Sequence, residues 1–102
     1  MALTSKQRAQ LKGLASTADT ILQIGKDGIT DGVVESAADA LKARELIKCR
    51  VLESSMLSPR EACDALCEAC KAEPVQVIGT KLVIFKRNPN APKIELVKNK
   101  KK

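Results

Sequence analysis

The sequence has no histidine, no tryptophan and no tyrosine, and Phe85 is its one phenylalanine in 102 residues. Each absence closes a class of chemistry. Without histidine there is no imidazole to act as a base near neutral pH and none to ligate a metal. A Ser–His–Asp triad cannot be built. One aromatic ring cannot form a platform on which successive bases stack. Long apolar runs are missing too. The longest, Leu82-Val83-Ile84-Phe85, is far shorter than the roughly 20 residues that a bilayer-spanning helix needs. Met1 to Arg8 turns polar within a few residues and holds no apolar core of signal-peptide length. A soluble, unexported protein with a cytoplasmic address is therefore expected. Four cysteines in such a chain read as free thiols.

What is present is charge, unevenly spread. The formal net charge is +6. From residue 79 onward, Lys81, Lys86, Arg87, Lys93, Lys98, Lys100, Lys101 and Lys102 face Glu95 alone. The rest of the chain is nearly neutral, but it is divided. Its first helical stretch carries Lys6, Arg8 and Lys12 with no acid before Asp19. The later helical stretches carry Asp31, Glu35 and Asp39, then Glu61, Asp64, Glu68 and Glu73. A fold that sets the first helix beside the C-terminal hairpin would have one cationic face, suited to a polyanion.

The pattern predicts seven elements in the order α-β-α-β-α-β-β. Residues 4–18 read as a helix, with Thr4 and Gln7 forming a capping box and Leu3, Gln7, Leu11, Leu14, Ala15 and Ala18 on one mostly apolar stripe. Thr20 to Ile24 reads as a strand ending at Gly25. Thr30 or Asp31 starts a helix to about Ala43, with Val33, Val34, Ala37, Ala38 and Leu41 inward. Glu45 to Leu52 alternates as a strand, with Ile47, Cys49 and Val51 on one side. Ser58, Pro59 and Glu61 are a helix start, and that helix runs to about Ala72, before Pro74. Val75 to Ile78 and Lys81 to Arg87 form a hairpin over Gly79-Thr80, a type II′ pattern. Ile94 to Val97 adds a short extended piece, and the lysines from 98 onward fray. The expected fold is a single compact α/β domain over residues 1–97, with a four-stranded mixed sheet. Residues 98–102 are expected to be a basic disordered tail.

Gly25-Lys26-Asp27-Gly28 is a G-x-x-G loop between a strand and a helix. Two glycines let backbone approach a phosphate closely, and the helix N-terminus behind them offers N–H groups and a positive dipole end. Many strand-to-helix turns need glycine for conformation alone. Cys63, Cys67 and Cys70 fall on one helical face. A tetrahedral zinc site would need a fourth ligand, which Cys49 could supply from across the sheet. The spacing is that of core positions, and thiols pack as small hydrophobes, so no metal site is assigned. Serine, threonine and cysteine are present, but with no histidine no triad is available to activate them. The chain is read as non-enzymatic, with no cofactor and no small-molecule substrate. Lys6, Arg8, Lys12, Lys26, Lys48, Arg50, Lys81, Lys86 and Arg87 are the candidate phosphate contacts, joined by Gly25 and Gly28.

Several strings together resemble one family. They are Leu3-Thr4-Ser5-Lys6-Gln7-Arg8 with Leu11-Lys12-Gly13-Leu14-Ala15; Ile24 to Thr30; Glu45-Leu46-Ile47-Lys48; and Val75 to Gly79 with Leu82 to Lys86. In order and spacing the chain resembles the CRM domain (chloroplast RNA splicing and ribosome maturation), in its stand-alone bacterial, YhbY-type form. The resemblance implies a fold like the C-terminal domain of bacterial translation initiation factor three. It implies binding to ribosomal RNA in large-subunit precursors, with Gly25 and Gly28 as the family's loop and Lys6, Arg8 and Lys12 on its basic helix. Asp27 is acidic where that loop is usually small or basic, and Phe85 stands where the family often has tyrosine. The expected function is RNA binding during ribosome assembly, by a monomer, through phosphates and groove shape. The alternative is a protein-interaction module that docks on an acidic ribosomal or assembly partner.

Overall fold

The computed structural model describes residues 4–87. The expected piece from Ile94 to Val97 and the basic tail lie outside the described residues. The element order is α1 (Ser5–Ser16), β1 (Thr20–Ile24), α2 (Asp31–Arg44), β2 (Leu46–Val51), α3 (Pro59–Cys70), β3 (Glu73–Ile78) and β4 (Lys81–Phe85). The four strands form one mixed sheet in the order β1-β2-β4-β3.

The helix starts follow from side-chain chemistry. Thr4 accepts from the Gln7 N–H, and the Gln7 side chain accepts from the Thr4 N–H, both at 3.1 Å. Ser58 and Glu61 repeat this box at α3, with Pro59 at the first helical position. Thr30 caps α2 by accepting from the Val33 N–H at 3.2 Å. The stops are backbone devices. Glu45 after α2 has φ 67° and Lys71 after α3 has φ 58°. So α3 ends before the proline is reached. Pro74 instead stands inside β3, at an irregularity in its pairing with β4. β3 is an edge strand, where proline is tolerated and blunts further pairing.

β1 pairs with β2 in parallel, and β4 is antiparallel to both its neighbours. β2 and β3 are joined through α3, yet they are not neighbours, because β4 inserts between them. Ile78 pairs with Lys81 across Gly79-Thr80, and only Gly79 of the two has positive φ, at 59°. That is the II′ pattern, in which the glycine takes the conformation other residues avoid.

The two sheet faces are covered differently. On one, α2 and α3 enclose the main core around Ile24, Leu41, Ile47, Leu66, Leu82 and Ile84. On the other, α1 covers a smaller cluster of Leu11, Ala15, Val75, Val83 and Phe85. Leu14, expected on the inner stripe of α1, is 45% exposed. Only two α1 side chains, Leu11 and Ala15, are buried, so the helix rests on a narrow contact.

Cys49, Cys63, Cys67 and Cys70 are all free, buried members of the main core. Burial, with Cys63 and Cys70 nearby, pushes the Cys49 thiol from 9.0 up to about 12. Cys67 is held protonated by donating to Cys63 and by burial, while accepting that bond lowers Cys63. Burial also raises Cys70, against the pull of nearby Lys86. The unfolded Cys49 thiol ionises near 9.0, and the folded one keeps its proton until about 12. The resulting stabilisation is complete below 9.0 and is lost as pH rises through that window. Urea midpoints measured across this window are expected to fall, and to fall less steeply in Cys49→Ala.

Candidate nucleic-acid interface

Strand alternation puts Leu46, Lys48 and Arg50 of β2 on the α1 side of the sheet and Ile47, Cys49 and Val51 on the other. On β4, Lys81 shares its side with Val83 and Phe85. Register then sets Arg50 directly opposite Lys81. α1 runs along β3, from Pro74 towards the Gly79-Thr80 turn, and brings Lys12 to the same end. The result is an open groove of about 530 Å³ between α1 and the hairpin, with Lys12, Lys48 and Lys81 around it. Among the described residues, no aspartate or glutamate lines it. The acidic side chains of α2 and α3 are exposed on the opposite layer.

The G-x-x-G loop lies at the same end of the sheet, beyond the opposite edge strand β1. The Leu52 N–H donates to the Ile24 carbonyl, and the Val51 N–H donates to the Thr80 carbonyl. These bonds tie the end of β2 to the loop on one side and to the hairpin turn on the other. The Gly28 N–H closes the loop onto the Gly25 carbonyl at 3.0 Å, leaving Lys26 and Asp27 exposed at the tip. The two glycines differ in role. Gly28 has φ +71°, while an added Cβ at Gly25 would meet nothing nearer than 3.8 Å. Gly28→Ala is therefore expected to cost about 1 kcal/mol, and Gly25→Ala less than about 0.5 kcal/mol; urea unfolding of the two variants checks this. The α2 N-terminus is less open than the motif suggests. The Thr30 hydroxyl already takes one N–H, and Asp31 sits in the first turn.

The remaining candidates separate from this group. Lys6 is exposed on the first turn of α1. Arg8 is half-buried, and its Nε donates to the Pro74 carbonyl at 3.4 Å. Lys86 follows β4 at the far end of the sheet, where its N–H donates to the Glu45 carbonyl, and Arg87 is next. These four lie away from the hairpin turn. Lys48 also has a task within the fold: its Nζ donates to the Ala15 carbonyl at 3.2 Å. α1 has no basic residue in its own last turn, so Lys48 supplies the cation that the negative end of that helix favours. Sequence reasoning missed the other residues that line the groove, Gln76, Ile78 and Thr80 among them. The signal was available: the two-residue turn fixes the hairpin register, which places Gln76 and Ile78 on the face of Val83 and Lys81.

Residues 3–86 match the family described as the CRS1 / YhbY (CRM) domain. The chain belongs to that family. Among relatives of this CRM domain, probable RNA-binding protein YqeI of Bacillus subtilis is 36% identical, over 92% of this chain and 98% of its own length. A Haemophilus influenzae protein named RNA-binding protein is 35% identical, covering 92% and 94%. The solution structure of the hypothetical protein SAV1595 from Staphylococcus aureus superposes with a TM-score of 0.78 at 41% identity, covering 93% and 99%. The α/β architecture expected of a CRM domain is thus the one this chain adopts. Phe85, where the resemblance places tyrosine in many members, is 3% exposed here and lies under α1.

Proposed function

We propose that the protein is a non-enzymatic RNA-binding module that associates with ribosomal RNA of large-subunit precursors during assembly, as a monomer in the cytoplasm. The observation that carries this reading is the convergence of Lys12, Lys48, Arg50 and Lys81 on the α1 side of the sheet, opposite the acidic helices. Cations in that arrangement neutralise phosphates and release counterions, which gives affinity without reading sequence. Lys26 on the Gly25–Gly28 loop stands at the same end of the sheet, so one RNA backbone path across that end can meet both the loop and the groove. The names of the relatives and the family membership support RNA as the partner. Among the described residues no helix is long and apolar enough to cross a membrane.

Crosslinking the protein to RNA in cells and sequencing the attached fragments tests the proposal. Enrichment of large-subunit ribosomal RNA, together with sedimentation in precursor fractions, is the expected result. Fragments dominated by messenger or transfer RNA would overturn the ribosomal assignment, and recovery of no RNA would overturn RNA binding itself.

A further inference from the structure

We propose that the groove beside α1 holds one unstacked ribonucleotide of the bound RNA. The inference rests on the RNA-binding reading and adds to it a seat for a base. Exposed cations alone would serve a phosphate track, and this groove has more. Ile78 at the end of β3 is 58% exposed, and it shares the groove with the apolar side chains of Ala15 and Val83. Ile78 gives the groove an exposed apolar wall against which the flat face of a base can lie. Gln76 brings an amide with both donors and an acceptor, and Thr80 a hydroxyl, to the same space.

These features match the parts of one nucleotide. A base laid against Ile78 would cover apolar surface, and its edge would face the Gln76 amide. Its phosphate would lie within the ring of Lys12, Lys48 and Lys81. The volume of about 530 Å³ falls within the roughly 300–1,000 Å³ typical of small-ligand sites. Lys48 spends one of its three donors on Ala15, which leaves two for a phosphate. The cationic rim selects a polyanion. The apolar floor selects an extruded base over a paired helix, whose base faces are already stacked. With one aliphatic face available, the groove accommodates a single base and not a run of them. Gln76 and Ile78 thereby become the residues that distinguish a bulged or looped RNA from a regular duplex.

The test uses the full chain and two blunt-ended RNA duplexes with the same number of base pairs, one fully paired and one with a single bulged nucleotide. Fluorescence anisotropy at one fixed salt concentration gives both affinities. The bulged duplex is expected to bind about five- to tenfold more tightly, the worth of one hydrogen bond plus an apolar contact. Gln76→Ala and Ile78→Ser should each lower that ratio about two- to threefold, and the double variant should bring it close to one. A 4-thiouridine at the bulge should crosslink to the peptide containing Ile78 and Lys81. Equal affinity for the two duplexes, with salt-sensitive binding retained, would overturn the nucleotide seat and leave RNA binding standing. A preference that persists in the double variant would overturn the groove as its location. Binding to neither duplex would overturn both readings.

Discussion

Replacing Lys12, Arg50 and Lys81 together by glutamine is expected to lower RNA affinity roughly hundredfold at physiological salt, from the loss of about 1 kcal/mol of counterion release per contact. The slope of log affinity against log salt should become shallower by two to three, since each lost phosphate contact removes about 0.7–0.9. All three side chains are exposed, so the fold should survive with its melting temperature nearly unchanged. The matched control neutralises Arg44, Arg60 and Lys71, which belong to α2, α3 and the cap that follows α3. It removes the same formal charge from the other layer of the molecule. If only net charge mattered, the two triple variants would bind alike. If the α1 side is the RNA face, the control keeps most of its affinity. Lys48 is left out of the set because its bond to Ala15 would mix a stability effect with a binding effect.

Phe85→Ala is the second large effect. The ring is 3% exposed, within the small cluster that α1 covers. Truncating a buried phenylalanine costs about 3–5 kcal/mol, a large share of the roughly 5–15 kcal/mol that holds a typical domain. α1 buries only Leu11 and Ala15, so it has little else to hold it in place. The variant should melt roughly 15 °C or more below the parent. RNA binding should fall with it, because Lys12 and the wall of the groove are carried by that helix. Phe85→Leu, closer in volume, should lose far less. Equal melting of Phe85→Ala and the parent would mean that the ring does not anchor the helix.

Much of this fold is legible because its boundaries are written in local chemistry. Thr4 with Gln7 and Ser58-Pro59 with Glu61 announce helix starts through bonds that span three residues. The alternation of Ile47, Cys49 and Val51 states which side of β2 faces the core. Neighbour relations are a different matter. Nothing local says that β4 slots between β2 and β3, since strand pairing is settled by the competition of whole faces for burial. Pro74 reads as a stop because proline usually is one; its place in β3 depends on that strand being at the edge. Leu14 fits the helical stripe, yet α1 meets the sheet over too narrow a band to bury it. Glu45 is fully buried and takes positive φ, a position that polarity alone argues against.

The candidate site follows the same division. Its cations were identifiable as residue types, and alternation placed Lys48 and Arg50 on one side of their strand. Their meeting with Lys12 and Lys81 required the α1 packing and the β2–β4 register, which are long-range facts. Lys86 and Arg87 stand close to Lys81 in sequence and emerge at the opposite end of the sheet, because a strand carries its two ends apart. The bond from Lys48 to the end of α1 is likewise visible only once the helix has been laid across β2.

Amide chemical-shift mapping during titration with a structured ribosomal RNA fragment tests the central claim most directly. The largest shifts are expected at Lys12 to Ser16, Gly25 to Gly28, Lys48 to Arg50 and Gln76 to Lys81, with α2 beyond its first turn and α3 nearly unmoved. Shifts concentrated on the exposed faces of α2 and α3, with the α1 side silent, would contradict it.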